Sequence, residues 1–147
     1  MKIILGAGVD NARFGMTADE AGSVLGAADK DYIEDDGDRC LCYNLLGLVL
    51  KFEEEHAGRL GWILVINPEA MLWDIKPIGR QFSDFEQIAD SRLQEAKDHD
   101  DHGYWGSTMW EDSWIEVQHT LGRIDQINFG VRFDTEDKPQ WPKPEDT

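Results

Sequence analysis

The sequence predicts an α+β fold in which two tandem units, each a helix followed by an antiparallel meander, share one sheet and one core. Three observations support this prediction: two helix-capping signatures, runs of alternating apolar and polar residues typical of half-buried strands, and a nearly constant spacing between matching landmarks. We expect a single domain over residues 1–147, with pseudo-repeat halves of about 9–70 and 71–134 and a tail at 135–147.

The first helix is marked at both of its ends. Thr17 followed three residues later by Glu20 is a capping box, in which the Thr17 hydroxyl accepts from the Glu20 amide and the Glu20 carboxylate reaches back to the cap. Gly26 stands where a left-handed C-terminal cap falls. Ala21 and Leu25 lie between these signals on one face, so a short amphipathic helix is expected.

The rest of the first half is typical of antiparallel strands. An acidic, loop-like run extends from Asp29 to Arg39. Apolar side chains then occupy every second position from Leu46 to Phe52, the pattern of a strand with one buried face. The run at 62–66 is apolar on both faces, which predicts a central strand covered on both sides.

The second half repeats the order helix, then strands. Ser83 and Glu86 form a second capping box, which predicts a helix from about Asp84 to Lys97. The stretch 98–106 is predicted to be irregular, and a strand is predicted at 114–120. Alternation from Ile127 to Phe133 predicts a last strand that is half-exposed.

Two landmarks indicate an internal duplication. Thr17 and Ser83 are 66 positions apart, and Gly58 and Gly122, each followed by arginine, are 64 positions apart. Because the two spacings agree to within a couple of residues, we expect the two halves to be related by duplication.

The tail is rich in Pro, Lys, Asp and Glu, a composition typical of disorder. We expect it nevertheless to be held against the rest of the protein, with Trp141, beside Pro142 and Pro144, as its anchor.

The charge of the chain limits its partners. Thirty acidic residues against fourteen basic ones give a formal net charge of −16 and a pI near 4.4. Such a surplus opposes contact with nucleic acids and anionic membranes, because each phosphate would be repelled. It favours a basic protein partner, and the alternative is an acidic, highly soluble protein with no such partner.

The N-terminus and the cysteines bear on location. The short apolar run after Met1 is not a signal-peptide core, so we expect a cytoplasmic protein. Cys40 and Cys42 lie two apart on one predicted strand, where a bridge between them would be strained. Reduced thiols are therefore expected, with no four-thiolate zinc site.

No arrangement of residues satisfies the requirements of catalysis, so we expect no catalytic residues and no cofactor. Most carboxylates sit in hydrophilic runs, and Ser107 and Ser113 lie in no nucleophile-elbow context. His99 and His102, among aspartates, are the densest metal-competent cluster, and a metal-dependent hydrolase is an alternative that depends on them. A solvated acidic loop is the favoured reading, so no metal site is predicted.

The candidate partner-binding residues combine carboxylates with flat aromatic side chains. Interface hot spots favour Trp and Tyr, and a surrounding acidic field speeds capture of a basic partner. For Trp105 and Trp110 the alternative, favoured equally, is that each side chain covers the core beneath a loop. The predicted binding set is Asp35, Asp36, Asp38, Asp98, Asp100, Asp101, Tyr104, Trp105, Trp110, Glu111 and Asp112.

A family resemblance is carried by the first helix and the strands that follow it. The residues concerned are Phe14 to Thr17, Val24 to Gly26, Leu46 to Phe52 and the pair Gly58-Arg59. They resemble small helix-plus-antiparallel-sheet modules: the tandem beta-lactamase-inhibitor-like fold, outer-membrane assembly lipoproteins, and immunity proteins encoded beside bacterial toxins. The chain lacks an acylated cysteine and the spaced cysteines of the secreted inhibitor, so the immunity proteins are the most similar branch. The resemblance carries over no binding residues.

Charge and resemblance together predict a function in binding. The resemblance implies an immunity protein, an antitoxin of bacterial competition, that binds and occludes a basic toxin or effector domain such as a nuclease. The alternative is a structural or adaptor module with no toxin partner, homodimeric through an exposed edge strand near residues 129–133.

Overall fold

The protein is α+β, as predicted, with two α-helices and an antiparallel sheet among the residues that the computed structural model describes, 1–143. The strands and helices follow one another as β1 (Ile3–Ile4), β2 (Gly8–Val9), β3 (Ala12–Arg13), α1 (Ala18–Leu25), β4 (Lys30–Ile33), β5 (Arg39–Tyr43), β6 (Leu48–Glu53), a 3-10 turn (Glu54–His56), β7 (Arg59–Val65), α2 (Phe82–Leu93), β8 (Asp98–Asp101), β9 (Trp105–Trp110), β10 (Ile115–Thr120) and β11 (Arg123–Gly130).

Eight strands form one sheet in the order β4-β5-β6-β7-β11-β10-β9-β8, and β1, β2 and β3 form a small separate sheet. Every neighbouring pair in the large sheet is antiparallel. The central pair is β7 with β11, where Val65 lies opposite Ile127 and Ile63 opposite Phe129. The two edges of the sheet are β4 and β8.

Helix α1 has the predicted caps. The Glu20 amide donates to the Thr17 hydroxyl at 3.2 Å, and the Thr17 amide donates to the Glu20 carboxylate at 3.1 Å. Gly26 ends the helix with a φ of 88°, which a residue with a side chain rarely adopts. Both ends of this helix are therefore capped by residues close in sequence.

The predicted start of α2 is wrong. The helix begins at Phe82 and ends at Leu93, so Ser83 lies inside it and Lys97 lies beyond it. Its N-cap is Gln81, which makes no side-chain capping bond. The backbone places this start, because the Phe82 amide donates to the Gly122 carbonyl at 2.8 Å and the Phe82 side chain is buried.

One face of the large sheet carries the core. Phe14 packs edge-on against Phe129 from the side of the small sheet, and Phe85 of α2 packs edge-on against Trp110. Each such buried side chain contributes about 1.5–3 kcal/mol relative to exposure. The largest fully buried side chains are Trp110, Phe52, Phe85, Phe129, Leu50, Leu60, Ile63, Leu72, Ile115, Ile124, Ile127 and Val9.

Three strand predictions differ from the structure. Strand β11 is central, because β7 and β10 both pair with it, and residues 127–130 are buried on both faces where a half-exposed strand was predicted. The predicted irregular stretch contains β8 and the start of β9, and every residue of β8 is exposed. Strand β7 is central but covered on one face only, so Trp62 and Leu64 remain half-buried on the open face.

The tail is held against the domain as predicted for Trp141. Its indole lies over Gly15, where an added Cβ would come within 3.3 Å of the ring, and edge-on to the imidazole of His56. Pro144, the second predicted flank of this anchor, lies outside the described residues. Among residues 1–143, neither helix has the length and apolarity to cross a bilayer.

Candidate functional site

Turns from three hairpins bring carboxylates to one end of the large sheet. The β4–β5, β6–β7 and β9–β10 connections meet there because the strands alternate in direction. The segment after β11 adds further acids. We call this surface the acidic end, and its carboxylate residues are Asp36, Asp38, Glu53, Glu54, Glu55, Glu111, Asp112, Asp134 and Asp137.

Two shallow depressions adjoin in the acidic end. The first, of about 370 Å³, is lined entirely by acids. The second, of about 640 Å³, adds Trp114, Arg132 and Phe133 to its carboxylates. Glu55 lines both depressions, so the acidic surface is continuous from the first half of the chain to the second.

Lys51 neutralises part of the first depression. Its Nζ lies 3.3 Å from Asp36 and 3.5 Å from both Glu34 and Asp38. Burial lowers the pKa of Lys51, but the hydrogen bond to Asp36 and the three carboxylates outweigh it and raise that pKa. Because one lysine faces three carboxylates, this cluster keeps a net negative charge.

Glu53, at the end of β6, forms a compact group with Glu55 and His56 of the 3-10 turn that follows. The Nε2 atom of His56 lies 3.1 Å from an oxygen of Glu55 and 3.9 Å from an oxygen of Glu53. The Glu53 carboxylate lies over Gly61, where an added Cβ would come within 2.0 Å of it. Burial raises the pKa of Glu53.

Aromatic rings form the floor beside these acids, which the sequence reasoning missed. Trp114 packs edge-on against Trp62 and Phe133, at ring-centroid distances of 6.0 and 6.4 Å. Both tryptophans lie on Gly130, where a Cβ would meet Trp114 at 2.2 Å and Trp62 at 2.5 Å. A glycine at the end of a strand with alternating apolar residues was the available signal that large rings approach its backbone.

The predicted binding residues divide between two places. Asp35, Asp36 and Asp38 lie in the β4–β5 turn, and Glu111 and Asp112 lie in the β9–β10 turn. Four of these, all except Asp35, line the depressions of the acidic end. Four of the eleven predicted residues therefore converge on one surface, although they come from different halves of the chain.

The other acids lie elsewhere, on the edge strand β8. Asp98, Asp100 and Asp101 are exposed there. Asp100 and Asp101 line a separate depression of about 500 Å³ with Tyr104 and Trp105, both at the β8–β9 connection. These residues do not join the acidic end.

Trp110 is not a binding residue. Its side chain is completely buried, at 0% exposure, and its indole N–H donates to Asp90 of α2 at 3.2 Å. The physical reason is the register of β9, which directs alternate residues, Gly106, Thr108 and Trp110, toward the core.

The two histidines considered for a metal have separate partners. His99 lies 2.7 Å from the Thr108 hydroxyl through Nδ1 and 3.3 Å from Glu86 through Nε2. His102 stacks on Trp105 at 4.1 Å. Within residues 1–143, the one group of three side chains with metal-ligand spacing is Glu53, Glu55 and His56.

Comparisons with known proteins support the fold alone. No protein-family model and no curated protein matches the chain. The fold is similar to that in the crystal structure of an extracellular protein containing an SCP domain from Bacillus anthracis strain Ames, with a TM-score of 0.52 and 10% identity. The match covers 82% of this chain and 46% of that one, so this chain spans less than half of that protein's length.

Proposed function

We propose that the protein is an immunity-type inhibitor that binds a basic toxin or effector domain and occludes it without turnover. The observation that carries the proposal is the acidic end, where nine carboxylate residues from both halves of the chain surround two adjoining depressions. A nuclease or nucleic-acid-modifying toxin exposes cations that bind phosphates. Carboxylates placed where the phosphates lie would occupy that surface.

The aromatic floor supports the same role. Trp114 and Phe133 lie among the acids, with Phe133 at the border of exposure and Trp114 half-buried. Lysine and arginine side chains of a basic partner gain from cation–π contact with such rings as well as from the carboxylates. Central aromatics with a charged rim are the usual anatomy of a specific interface.

We infer, as part of this proposal, that the chain consists of two tandem helix-then-meander units. A shift of 64 residues maps the central strand pairing onto itself, because Ile63 and Val65 become Ile127 and Phe129. The same shift relates two hydrogen bonds, each from an arginine side chain to a glycine carbonyl that precedes a helix. Arg59 donates to the Gly15 carbonyl at 2.8 Å, and Arg123 donates to the Gly79 carbonyl at 3.2 Å.

The units differ where the acidic end is built. Residues 54–58 connect β6 to β7, whereas only Leu121 and Gly122 connect β10 to β11. The three extra residues are the 3-10 turn Glu54–His56, at the junction of the two depressions. A binding surface that uses this asymmetric insertion needs both units but is not itself repeated.

Complex formation with the product of the adjacent reading frame tests the proposal. The two proteins are co-expressed, and the complex is measured by size-exclusion chromatography with light scattering at physiological salt. We expect a one-to-one complex with micromolar or tighter affinity and loss of the partner's activity in proportion to inhibitor added. Absence of a complex at micromolar concentrations would contradict the proposal. Cytoplasmic residence belongs to the same proposal.

A structural or adaptor module is the second candidate, supported by the edge strand β4. Ile33 and Tyr32 of this strand are 70% and 45% exposed. The edge predicted from the sequence, near residues 129–133, is unsuitable because β11 is central. The same light-scattering measurement on the isolated protein distinguishes the candidates, because an adaptor that pairs through β4 is dimeric without a partner.

A further inference from the structure

We propose that Glu53, Glu55 and His56 bind a divalent transition-metal ion, with Zn²⁺ as the best match. The inference goes beyond the inhibitor role, since it concerns an ion site that exists without any protein partner. It rests on three observations: the spacing of the ligand atoms, the burial of the His56 Nε2 atom without a hydrogen bond, and the packing that holds the ligands in place.

The spacing fits one ion. One ligand atom from each side chain lies within 4.8 Å of the other two, and His56 Nε2 is 3.1 and 3.9 Å from the two carboxylates. Zinc binds imidazole nitrogen and carboxylate oxygen at about 2.0–2.2 Å, so two ligands in a tetrahedral site are about 3.4 Å apart. The observed distances bracket that value.

The buried imidazole of His56 distinguishes this group from an ordinary cluster of surface acids. The His56 side chain is only 14% exposed, and its Nε2 atom is buried without a hydrogen bond to any group in residues 1–143. This holds although a Glu55 oxygen is 3.1 Å away, so the two groups are close without hydrogen-bond geometry. A buried polar nitrogen that makes no hydrogen bond is costly, and an ion between the imidazole and the two carboxylates would satisfy it.

The ligands are held from outside the turn. The His56 ring packs against Phe133 and edge-on to Trp141, at centroid distances of 5.7 and 6.1 Å. The Glu53 carboxylate occupies the space that Gly61 leaves open. Such packing limits the rotamers of two ligands before an ion arrives.

The donor set selects the class of ion. Two carboxylates and one imidazole suit Zn²⁺ and its neighbours better than Mg²⁺ or Ca²⁺, which prefer all-oxygen sites. Three protein ligands also leave a coordination position for water or a partner's side chain. The acidic residues around the site, including Asp38 and Glu54, raise the local concentration of any divalent cation.

Calorimetric titration of Zn²⁺ into chelator-treated, tag-free protein tests the proposal. We expect one ion per chain at micromolar or tighter affinity and at least tenfold weaker binding of Mg²⁺. His56→Gln should weaken Zn²⁺ binding at least tenfold. Glu55→Gln should do the same and guards against a folding defect, because the Glu55 side chain is 77% exposed.

Two matched variants control the experiment. Glu54→Gln removes the same charge from the same turn and should weaken Zn²⁺ binding by no more than about twofold, because a screened neighbouring charge contributes little beside a ligand. His99→Gln removes an imidazole at the β8 edge and should bind Zn²⁺ as the native protein does. A cobalt(II) absorption spectrum that disappears in His56→Gln would support direct ligation. The proposal is overturned by absence of saturable Zn²⁺ binding, by equal binding of Mg²⁺, or by binding that survives both His56→Gln and Glu55→Gln.

Discussion

Asp90 links the core to the surface through two hydrogen-bond partners. Its carboxylate accepts from the buried indole of Trp110 and from Lys97, and the Lys97 ammonium also lies 3.1 Å from Glu86. The hydrogen bond from Lys97 holds the pKa of Asp90 below its ordinary value of 3.8. A single half-buried helix residue therefore keeps a polar atom of the core satisfied.

Replacing Asp90 tests this arrangement. Asp90→Ala leaves the Trp110 N–H without its partner, and we expect the free energy of unfolding to fall by about 1–2 kcal/mol in urea titrations. Asp90→Asn should lose less because it keeps an acceptor. Ser91→Ala, at an exposed position one residue away, should change stability by less than about 0.5 kcal/mol and serves as the control. Equal effects at 90 and 91 would contradict the assigned bond.

The pH dependence of the same variant has a definite sign. A carboxyl whose pKa is lower in the folded protein contributes stability above its unfolded value and loses it as the pH falls through the folded value. The difference in stability between the native protein and Asp90→Asn should therefore be constant near neutral pH and shrink below about pH 4. A difference that grows on acidification would exclude the lowered pKa.

At the scale of elements, the two helices show what local sequence can determine. Thr17 and Ser83 carry the same signature, a hydroxyl three residues before a glutamate, yet only Thr17 caps a helix. The start of α2 follows from backbone hydrogen bonds to the β10–β11 turn, which are long-range contacts. A sequence pattern indicates the capping that neighbouring residues provide, but it does not indicate the tertiary contacts that place a helix start.

A matched pair of alanine variants separates the two cases. Thr17→Ala should lower the free energy of unfolding by about 1 kcal/mol, because it removes a cap. Ser83→Ala should be neutral or slightly stabilising, because alanine is the better helix former inside a helix. Chemical denaturation followed by far-UV circular dichroism measures both, and comparable losses would mean that Ser83 also acts as a cap.

The strands and the site follow the same rule. Alternation correctly identified strands in both halves, but it could not show that β11 is central, and this strand was predicted to be half-exposed. The acids of two turns were found from residue type. The aromatic floor at Trp114 and Phe133 was missed, because it depends on the register of β10 and β11 and on the absence of a side chain at Gly130.

At the scale of the whole molecule, the distribution of charge matters more than its total. The formal charge of −16 is spread over the surface, including the β8 edge with Asp98, Asp100 and Asp101. The acidic end differs because its carboxylates come from both halves and surround aromatic rings. Edge-strand acids have a separate use, since like charges there oppose pairing with another chain.

The central claim is that the acidic end, and not negative charge in general, binds the basic partner. Two triple variants remove the same charge: Glu111→Gln with Asp112→Asn and Asp137→Asn at the acidic end, and Asp98→Asn with Asp100→Asn and Asp101→Asn at the β8 edge. The measurement is the dissociation constant for the adjacent reading frame's product at physiological salt. We expect the first variant to bind about tenfold to a hundredfold more weakly, about 1.4–2.7 kcal/mol, and the second to bind as the native protein does. Equal losses in the two variants, or a larger loss in the β8 variant, would contradict the account.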